Sequence, residues 1–175
     1  MRLLEHLRDL HRNDPALVIG NGRSRLGSDL NALSAGYITF GCNALYRDFA
    51  PDYLFAIDDK MIDEILGSGY LFDLFVRYDA NVDHGCQFGR LIGTTGNAAL
   101  YASLIMGCDP ITLIGFDGCL VDGHQQNNVY AMTVNYETIN REDEIAEIWT
   151  DEFHQLLEEF PDRRVISLTP TPYLV

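Results

Sequence analysis

The chain has 175 residues, 47% of them hydrophobic, which is enough for one buried core, so we expect a single domain over residues 1–175. Twelve basic residues against 26 acidic ones give a net charge of -14, which argues against binding to the backbone of DNA or RNA. Lys60 is the only lysine, so a G-x-x-x-x-G-K-[ST] phosphate loop and Walker-type nucleotide hydrolysis are excluded.

Apolar runs and turn residues in the first half of the chain predict strands that alternate with helices. Leucines near the N-terminus recur at helical spacing and predict an amphipathic helix that residues 13–15 end. The run Ala16–Ile19 predicts a first strand, which enters a small, polar turn. We then expect a short helix capped by Ser28 or Asp29, strands over residues 37–40 and 53–57, and a helix over residues 61–66.

The second half continues this alternation. Residues 71–76 fit either a strand or a continued helix, whereas residues 97–106 are apolar on nearly every face, as in a helix buried against a sheet. We expect the strongest strand over residues 111–116, a long polar loop over 118–140, a helix over 144–160 and a strand over 165–168. This order predicts a three-layer αβα, Rossmann-like fold with a mostly parallel sheet, in which ligands bind beyond the carboxyl ends of the strands.

The same sequence bears on location and assembly. No apolar stretch reaches the roughly 18 residues of a membrane helix, and residues 1–6 lack the apolar segment of a signal peptide, so we expect a cytoplasmic protein without a membrane span. The four cysteines include no close pair, which favours neither a zinc site nor a disulfide framework. The acidic, nearly lysine-free composition fits a salty or phage-like setting, and the sequence leaves a homo-oligomer open.

The turn after the first predicted strand is a candidate phosphate site. Gly20-x-Gly22 resembles the start of a dinucleotide fingerprint, although the next glycine is Gly27, which departs from G-x-G-x-x-G. The glycines would let a phosphate approach the backbone, or would only supply a positive φ in a tight turn. Asn21 and Ser24 offer short side chains that could hold phosphate or ribose oxygens, or cap the next helix.

The start of the predicted helix 97–106 is a second candidate. Thr94-Thr95-Gly96-Asn97 opens this helix, where free amide groups and the positive end of the helix dipole form an anion site; ordinary capping is the alternative. Arg23, Arg25 and Arg90 lie next to these turns. They would supply the donors that an acidic phosphate-binding protein needs, or they are simply solvated.

Three carboxylates and one histidine are candidates for metal binding and catalysis. Asp58, Asp59 and Asp117 end predicted strands, where a carboxylate could bind a divalent cation or a ribose hydroxyl, and Asp59 is equally suited to capping a helix. His124 is the best candidate for a general acid or base, because its loop follows the strongest strand. A surface histidine without a role is the alternative.

Five short motifs occur in an order that resembles a known family. They are Gly20-Asn21-Gly22-x-Ser24, Cys42-Asn43-x-x-Tyr46, Thr95-Gly96-x-x-Ala99, Leu113-Ile114-Gly115-Phe116-Asp117 and Asn128-x-Tyr130. Their order and spacing resemble those of the bacterial lipooligosaccharide sialyltransferases and of the related 6-hydroxymethylpterin diphosphokinase-like family, which also includes flagellin-modifying glycosyltransferases. The resemblance spans residues 16–170.

The resemblance implies a Rossmann-like fold that holds a nucleotide at the strand ends. In the sialyltransferases a CMP-sugar contacts the residues matched by Asn21, Asn43, Thr95, Gly96 and Tyr130. The catalytic histidine of the sialyltransferases lies before the last helix, where this chain has acidic residues 142–144. The strand end followed by His124 looks more like the diphosphokinase-like branch, whose members bind nucleoside phosphates, with Mg²⁺ expected for pyrophosphoryl transfer.

These observations predict a transferase that acts on a nucleotide or a nucleotide-sugar, with glycosyl transfer slightly ahead of pyrophosphoryl transfer. The predicted nucleotide contacts are Gly20, Asn21, Gly22, Ser24, Asn43, Thr95, Gly96 and Asp117. His124 would deprotonate the acceptor, and Tyr130 would steady the leaving phosphate. The alternatives are a non-catalytic nucleotide-binding module, and an interaction protein whose glycine turns are purely structural and which binds no nucleotide.

Overall fold

The computed structural model describes residues 2–70, 73–77, 86–88, 92–118, 127–136 and 144–174. Within these ranges, eight strands form one sheet. They are β1 (Arg2–Leu3), β2 (Ala16–Ile19), β3 (Ile38–Cys42), β4 (Tyr53–Ala56), β5 (Asp73–Arg77), β6 (Cys86–Phe88), β7 (Ile111–Ile114) and β8 (Val165–Ser167). All neighbouring strands are parallel, in the order β1-β6-β5-β4-β3-β2-β7-β8.

The described helices are α1 (Leu30–Leu33), α2 (Asp59–Gly67), α3 (Thr95–Ile105) and α4 (Glu144–Glu159), with 3₁₀ turns at Leu4–Leu7, Arg23–Arg25 and Asn43–Arg47. No helix in the described ranges is long and apolar enough to cross a membrane. The architecture is a three-layer α/β, Rossmann-like fold, which confirms the predicted fold class.

The direction of the chain through the sheet reverses at β2. From β2 the chain passes through β3, β4, β5 and β6 on one side, and after α3 it returns to the other side of β2 as β7 and then β8. The loops beyond the carboxyl ends diverge at such a switch point and leave a crevice where ligands bind in open α/β sheets. The turns that follow β2 and β7 therefore border the expected ligand site.

Helices cover both faces of the sheet, so each face has its own hydrophobic core. Successive side chains of a strand point to opposite faces and therefore join different cores. Along β2, Val18 joins the core that includes α3 and α4, whereas Leu17 and Ile19 join the core that includes α2. Helix α3 is buried at every residue except Gly96, because it lies between the sheet and α4. This enclosure explains the all-round apolar pattern of residues 97–106 and fixes the N-terminus of α3 beneath the switch point.

Several predicted elements need correction. The N-terminal amphipathic helix is wrong: Arg2–Leu3 pairs with β6, Leu4–Leu7 is a 3₁₀ turn, and Leu10 is 51% exposed. The ambiguous segment 71–76 overlaps strand β5, which runs from Asp73 to Arg77, and β6 was not predicted. The strongest strand ends at Ile114, two residues early, because Gly115 takes a φ of 72°. Within the predicted loop, residues 127–136 form turns, and the rest of it beyond Gly118 lies outside the described residues.

Candidate functional site

A cavity of about 740 Å³ opens at the switch point. Its wall is formed by the turns that follow β2, β3, β4 and β7, by the N-terminus of α3, by part of segment 127–136, and by Trp149 and Tyr173. The volume lies within the roughly 300–1,000 Å³ that small-molecule sites occupy. The cavity is therefore large enough for a nucleotide-sized ligand.

The glycine turns after β2 and β7 cross in direct contact at the bottom of this cavity. A Cβ atom on Gly20 would overlap the carbonyl oxygen of Gly115, and one on Gly22 would overlap the Asp117 carboxylate. A Cβ on Gly115 would lie 2.7 Å from the Gly20 carbonyl oxygen, and the φ of Gly115 is +72°. Neither Gly20 nor Gly22 has a positive φ, so the prediction that these glycines supply a positive φ in a tight turn is wrong. The contact between the two turns requires these glycines, whether or not a phosphate binds.

Asp117 joins the same two turns through its side chain. Its carboxylate accepts hydrogen bonds from the Ser24 hydroxyl and from the Ser24 main-chain N–H at 2.9 Å. Asp117 contributes to the cavity wall, whereas Ser24 lies behind it. The structure thus gives Ser24 a structural role in holding the turns together, and its predicted contact with a nucleotide stays a prediction.

The N-terminus of α3 presents free amide groups to the cavity. Thr94 caps the helix by accepting a hydrogen bond from the Asn97 N–H at 3.0 Å. The described residues provide no acceptor for the N–H groups of Thr95 and Gly96, both of which line the cavity. Capping and anion binding are therefore compatible here, because the cap satisfies one amide and leaves two at the positive end of the helix dipole.

Two asparagines complete this wall. Asn43 directly follows β3 with a φ of 48°, a left-handed conformation that asparagine tolerates better than most residues. Its Oδ1 accepts a hydrogen bond from the Thr95 hydroxyl at 3.1 Å. Asn21 donates from Nδ2 to the Cys42 carbonyl oxygen at 2.9 Å. The structure thus brings the predicted contacts together on one cavity wall, Ser24 excepted; they are Gly20, Asn21, Gly22, Asn43, Thr95, Gly96 and Asp117.

Tyr136 also lines the cavity, and the sequence analysis missed it. The residue is 7% exposed, and its hydroxyl has no hydrogen-bond partner among the described residues. Burial raises the pKa of Tyr136 to about 12, although the nearby Ala44 N–H and the side chains of Asn43 and Asn21 act in the opposite direction. An unpaired buried hydroxyl costs about 1–3 kcal/mol. No motif marks this residue in the sequence.

Tyr130 lies behind the wall rather than on it. Its hydroxyl donates to Asp48 Oδ2 at 2.6 Å and accepts from the Arg25 guanidinium at 2.9 Å. Arg25 is 6% exposed, so Tyr130 links a buried cation to a carboxylate. Burial and the hydrogen bond to Asp48 raise the pKa of Tyr130. This placement does not support the predicted contact with a leaving phosphate.

The charged residues on the cavity wall are mostly acidic. The charged wall residues among those described are Asp58, Asp59, Lys60 and Asp117. No group of three or more histidine, cysteine, aspartate or glutamate side chains in the described ranges is placed to hold a metal ion. The predicted base His124, and Arg90, lie outside the described residues.

The shifted pKa of Tyr136 predicts a loss of stability in alkali. Folding raises this pKa from 10.0 to about 12, so the native state holds the proton more tightly than the unfolded state. The resulting contribution is complete below about pH 10 and is lost as the pH rises toward about 12, by roughly 2–3 kcal/mol. Melting temperatures measured across this range should fall less steeply for Tyr136→Phe than for the wild type. Tyr37→Phe, at a partly exposed tyrosine, is the control; equal slopes for all three proteins would contradict the prediction.

Comparison with known proteins supports the fold. No family model and no curated protein matches the chain. The solved structure of the MAf glycosyltransferase from Magnetospirillum magneticum AMB-1 matches with a TM-score of 0.59 and 12% sequence identity, over 92% of this chain and 34% of that one. The chain thus spans about a third of that protein's length and shares the fold of one part of a glycosyltransferase.

Proposed function

We propose that the chain is a glycosyltransferase that uses a nucleotide-linked sugar and binds the phosphate of this donor at the N-terminus of α3. One observation carries the proposal: the N–H groups of Thr95 and Gly96, which have no acceptor among the described residues, line the cavity at the switch point. Asn43 lies beside these amides on the same wall, since its Oδ1 accepts the hydrogen bond of the Thr95 hydroxyl. Donors arranged in this way suit one phosphate group.

The charge of the wall favours a donor with a single phosphate. Three of its described charged residues are aspartates, and Lys60 is the single cation among them. A nucleoside diphosphate or triphosphate would bring more negative charge than one helix terminus and one lysine can offset. We therefore propose a nucleoside-monophosphate-linked sugar, of which CMP-sugars are the known chemical example, as the donor.

The proposed transfer step requires little covalent chemistry from the protein. The acceptor hydroxyl oxygen bonds to the anomeric carbon of the sugar, and the bond from that carbon to the phosphate oxygen breaks. The electron pair stays on the phosphate, whose added charge the α3 amides stabilise. His124 is the proposed base that takes the acceptor proton.

Pyrophosphoryl transfer is the weaker candidate for this cavity. It would need Mg²⁺ to neutralise the phosphates, yet Asp58, Asp59 and Asp117 do not come together as a set of ligands among the described residues. Both oxygens of the Asp117 carboxylate also accept hydrogen bonds from Ser24. The described residues therefore form no cluster of three or more metal-binding side chains, and any Mg²⁺ would have to be held largely by the phosphates themselves.

A panel of nucleotides tests the proposal. CMP, UMP, UDP and ATP are each added to the protein, with and without Mg²⁺, and the melting temperature and the Kd are measured. We expect a monophosphate to bind without Mg²⁺ and to raise the melting temperature by about 5–10 °C at a hundredfold excess over its Kd. Binding of ATP only with Mg²⁺ would favour pyrophosphoryl transfer, and no binding of any nucleotide would overturn both proposals.

Incubation with a CMP-sugar and an acceptor then separates an enzyme from a binding module. An enzyme releases CMP in proportion to glycosylated product. A non-catalytic module binds the donor and leaves it intact, which would contradict the proposed transfer.

A further inference from the structure

Segment 127–136 supplies several residues of the cavity wall but is held partly by its own turns. Asn127, Asn128, Asn135 and Tyr136 line the cavity. Inside the segment, the Met132 N–H donates to the Tyr136 carbonyl oxygen at 2.8 Å, and the Tyr136 N–H donates to the Thr133 carbonyl oxygen at 2.9 Å. Met132 and Asn135 adopt positive φ values of 66° and 64°. A surface loop with two residues in the left-handed region needs contacts with the rest of the protein to keep a single conformation.

Outside contacts hold both ends of the segment, and Arg47, at the end of the 3₁₀ turn after β3, supplies those of its middle part. Its guanidinium donates to the Thr133 hydroxyl at 2.8 Å and to the Val134 carbonyl oxygen at 3.1 Å. The same group lies 6.0 Å from the ring centre of Tyr136 and 5.6 Å from that of Tyr130. Arg47 therefore contacts both the backbone of the segment and its tyrosine rings.

Glu64, on α2, holds both Arg47 and the segment. Its Oε1 accepts hydrogen bonds from Arg47 Nε at 2.9 Å and from the Tyr46 hydroxyl at 2.6 Å. Its Oε2 accepts from Asn135 Nδ2 at 2.7 Å. Every one of these neighbours is a donor, so the position requires two acceptor oxygens, which a carboxylate has and an amide lacks.

We propose that Glu64 and Arg47 are positioning residues, which fix segment 127–136 in place as part of the wall that the bound donor contacts. This inference rests on the proposed function for the identity of that ligand. Neither Glu64 nor Arg47 lines the cavity, so both act through the segment. The side chains of Arg47 and Glu64 are 23% and 19% exposed, which leaves their contacts only partly screened by water.

Hydrogen exchange tests the positioning without any ligand. Glu64→Gln keeps the size of the side chain but places an amide group against donors, and Asp63→Asn removes the same charge from an exposed neighbour on α2. Exchange measured by mass spectrometry should be about tenfold faster in peptides over residues 127–136 for Glu64→Gln, with α3 unchanged. Thr133→Val, which removes one Arg47 contact, should shift the same peptides. Exchange equal to that of Asp63→Asn would overturn the proposal.

Binding of CMP tests the link to the cavity. Glu64→Gln should raise the Kd for CMP about tenfold, and Thr133→Val, which loosens the same segment at another contact, should change it in the same direction, whereas Asp63→Asn should leave it unchanged. An unchanged Kd for Glu64→Gln would overturn a role in binding. If the wild type does not bind CMP, the proposed donor fails, and the exchange experiment still decides whether the pair holds the segment.

Discussion

Gly115→Ala is expected to destabilise the protein by about 2–5 kcal/mol, which for a marginally stable domain is a large part of its total stability. The added methyl group meets two separate obstacles. A φ of 72° places an L-residue in the left-handed region, and the Cβ would lie 2.7 Å from the Gly20 carbonyl oxygen. That oxygen belongs to the backbone of the other turn, so no side chain can move aside to relieve the contact.

Urea denaturation of three variants separates these obstacles. Gly27 has a φ of 84° but open space around it, so Gly27→Ala should cost about 1–2 kcal/mol for the backbone conformation alone. Gly67 lies in α2 with open space and no positive φ, so Gly67→Ala should stabilise by about 0.5–1 kcal/mol. A cost for Gly115→Ala no larger than that for Gly27→Ala would show that the contact between the two turns contributes nothing.

This contact explains which part of the site could be predicted from sequence. Ala16–Ile19 and Ile111–Ile114 are apolar because both faces of their strands are covered, and glycine ends each of them because their turns cross. Both signals are local, so the sequence predicted the mostly parallel sheet and a site beyond the carboxyl ends of its strands. The switch point itself depends on the strand order, which was not predicted. The glycines support a ligand site only indirectly, by bringing Asn21 and Asp117 to one wall.

Other features depend on contacts between distant residues. Leu4 and Leu7 are buried at a spacing that an α-helix and a 3₁₀ turn share, so periodicity could not show that the preceding residues pair with β6. Ser24 and Asp117 are 93 positions apart, and their hydrogen bond became visible only in the fold. Tyr130 lies in a motif and Tyr136 does not, yet packing places Tyr136 on the cavity wall, with its hydroxyl buried and without a hydrogen-bond partner among the described residues.

The two tyrosines predict opposite results for the same chemical change. Tyr136→Phe should stabilise the protein by about 1–3 kcal/mol, because it removes a buried hydroxyl that has no hydrogen-bond partner among the described residues. Urea denaturation measures this change.

Tyr130→Phe is the matched variant, and it should lower the stability of the protein. It removes the hydroxyl that the Arg25 guanidinium reaches at 2.9 Å, and Arg25 is 6% exposed. A buried cation that loses a hydrogen bond costs about 1–3 kcal/mol, so this variant should unfold at lower urea concentration while its Kd for CMP changes less than about threefold. A loss of stability in Tyr136→Phe as large as that in Tyr130→Phe would show that the Tyr136 hydroxyl has a hydrogen-bond partner. Weaker CMP binding by Tyr130→Phe would place the phosphate contact at Tyr130.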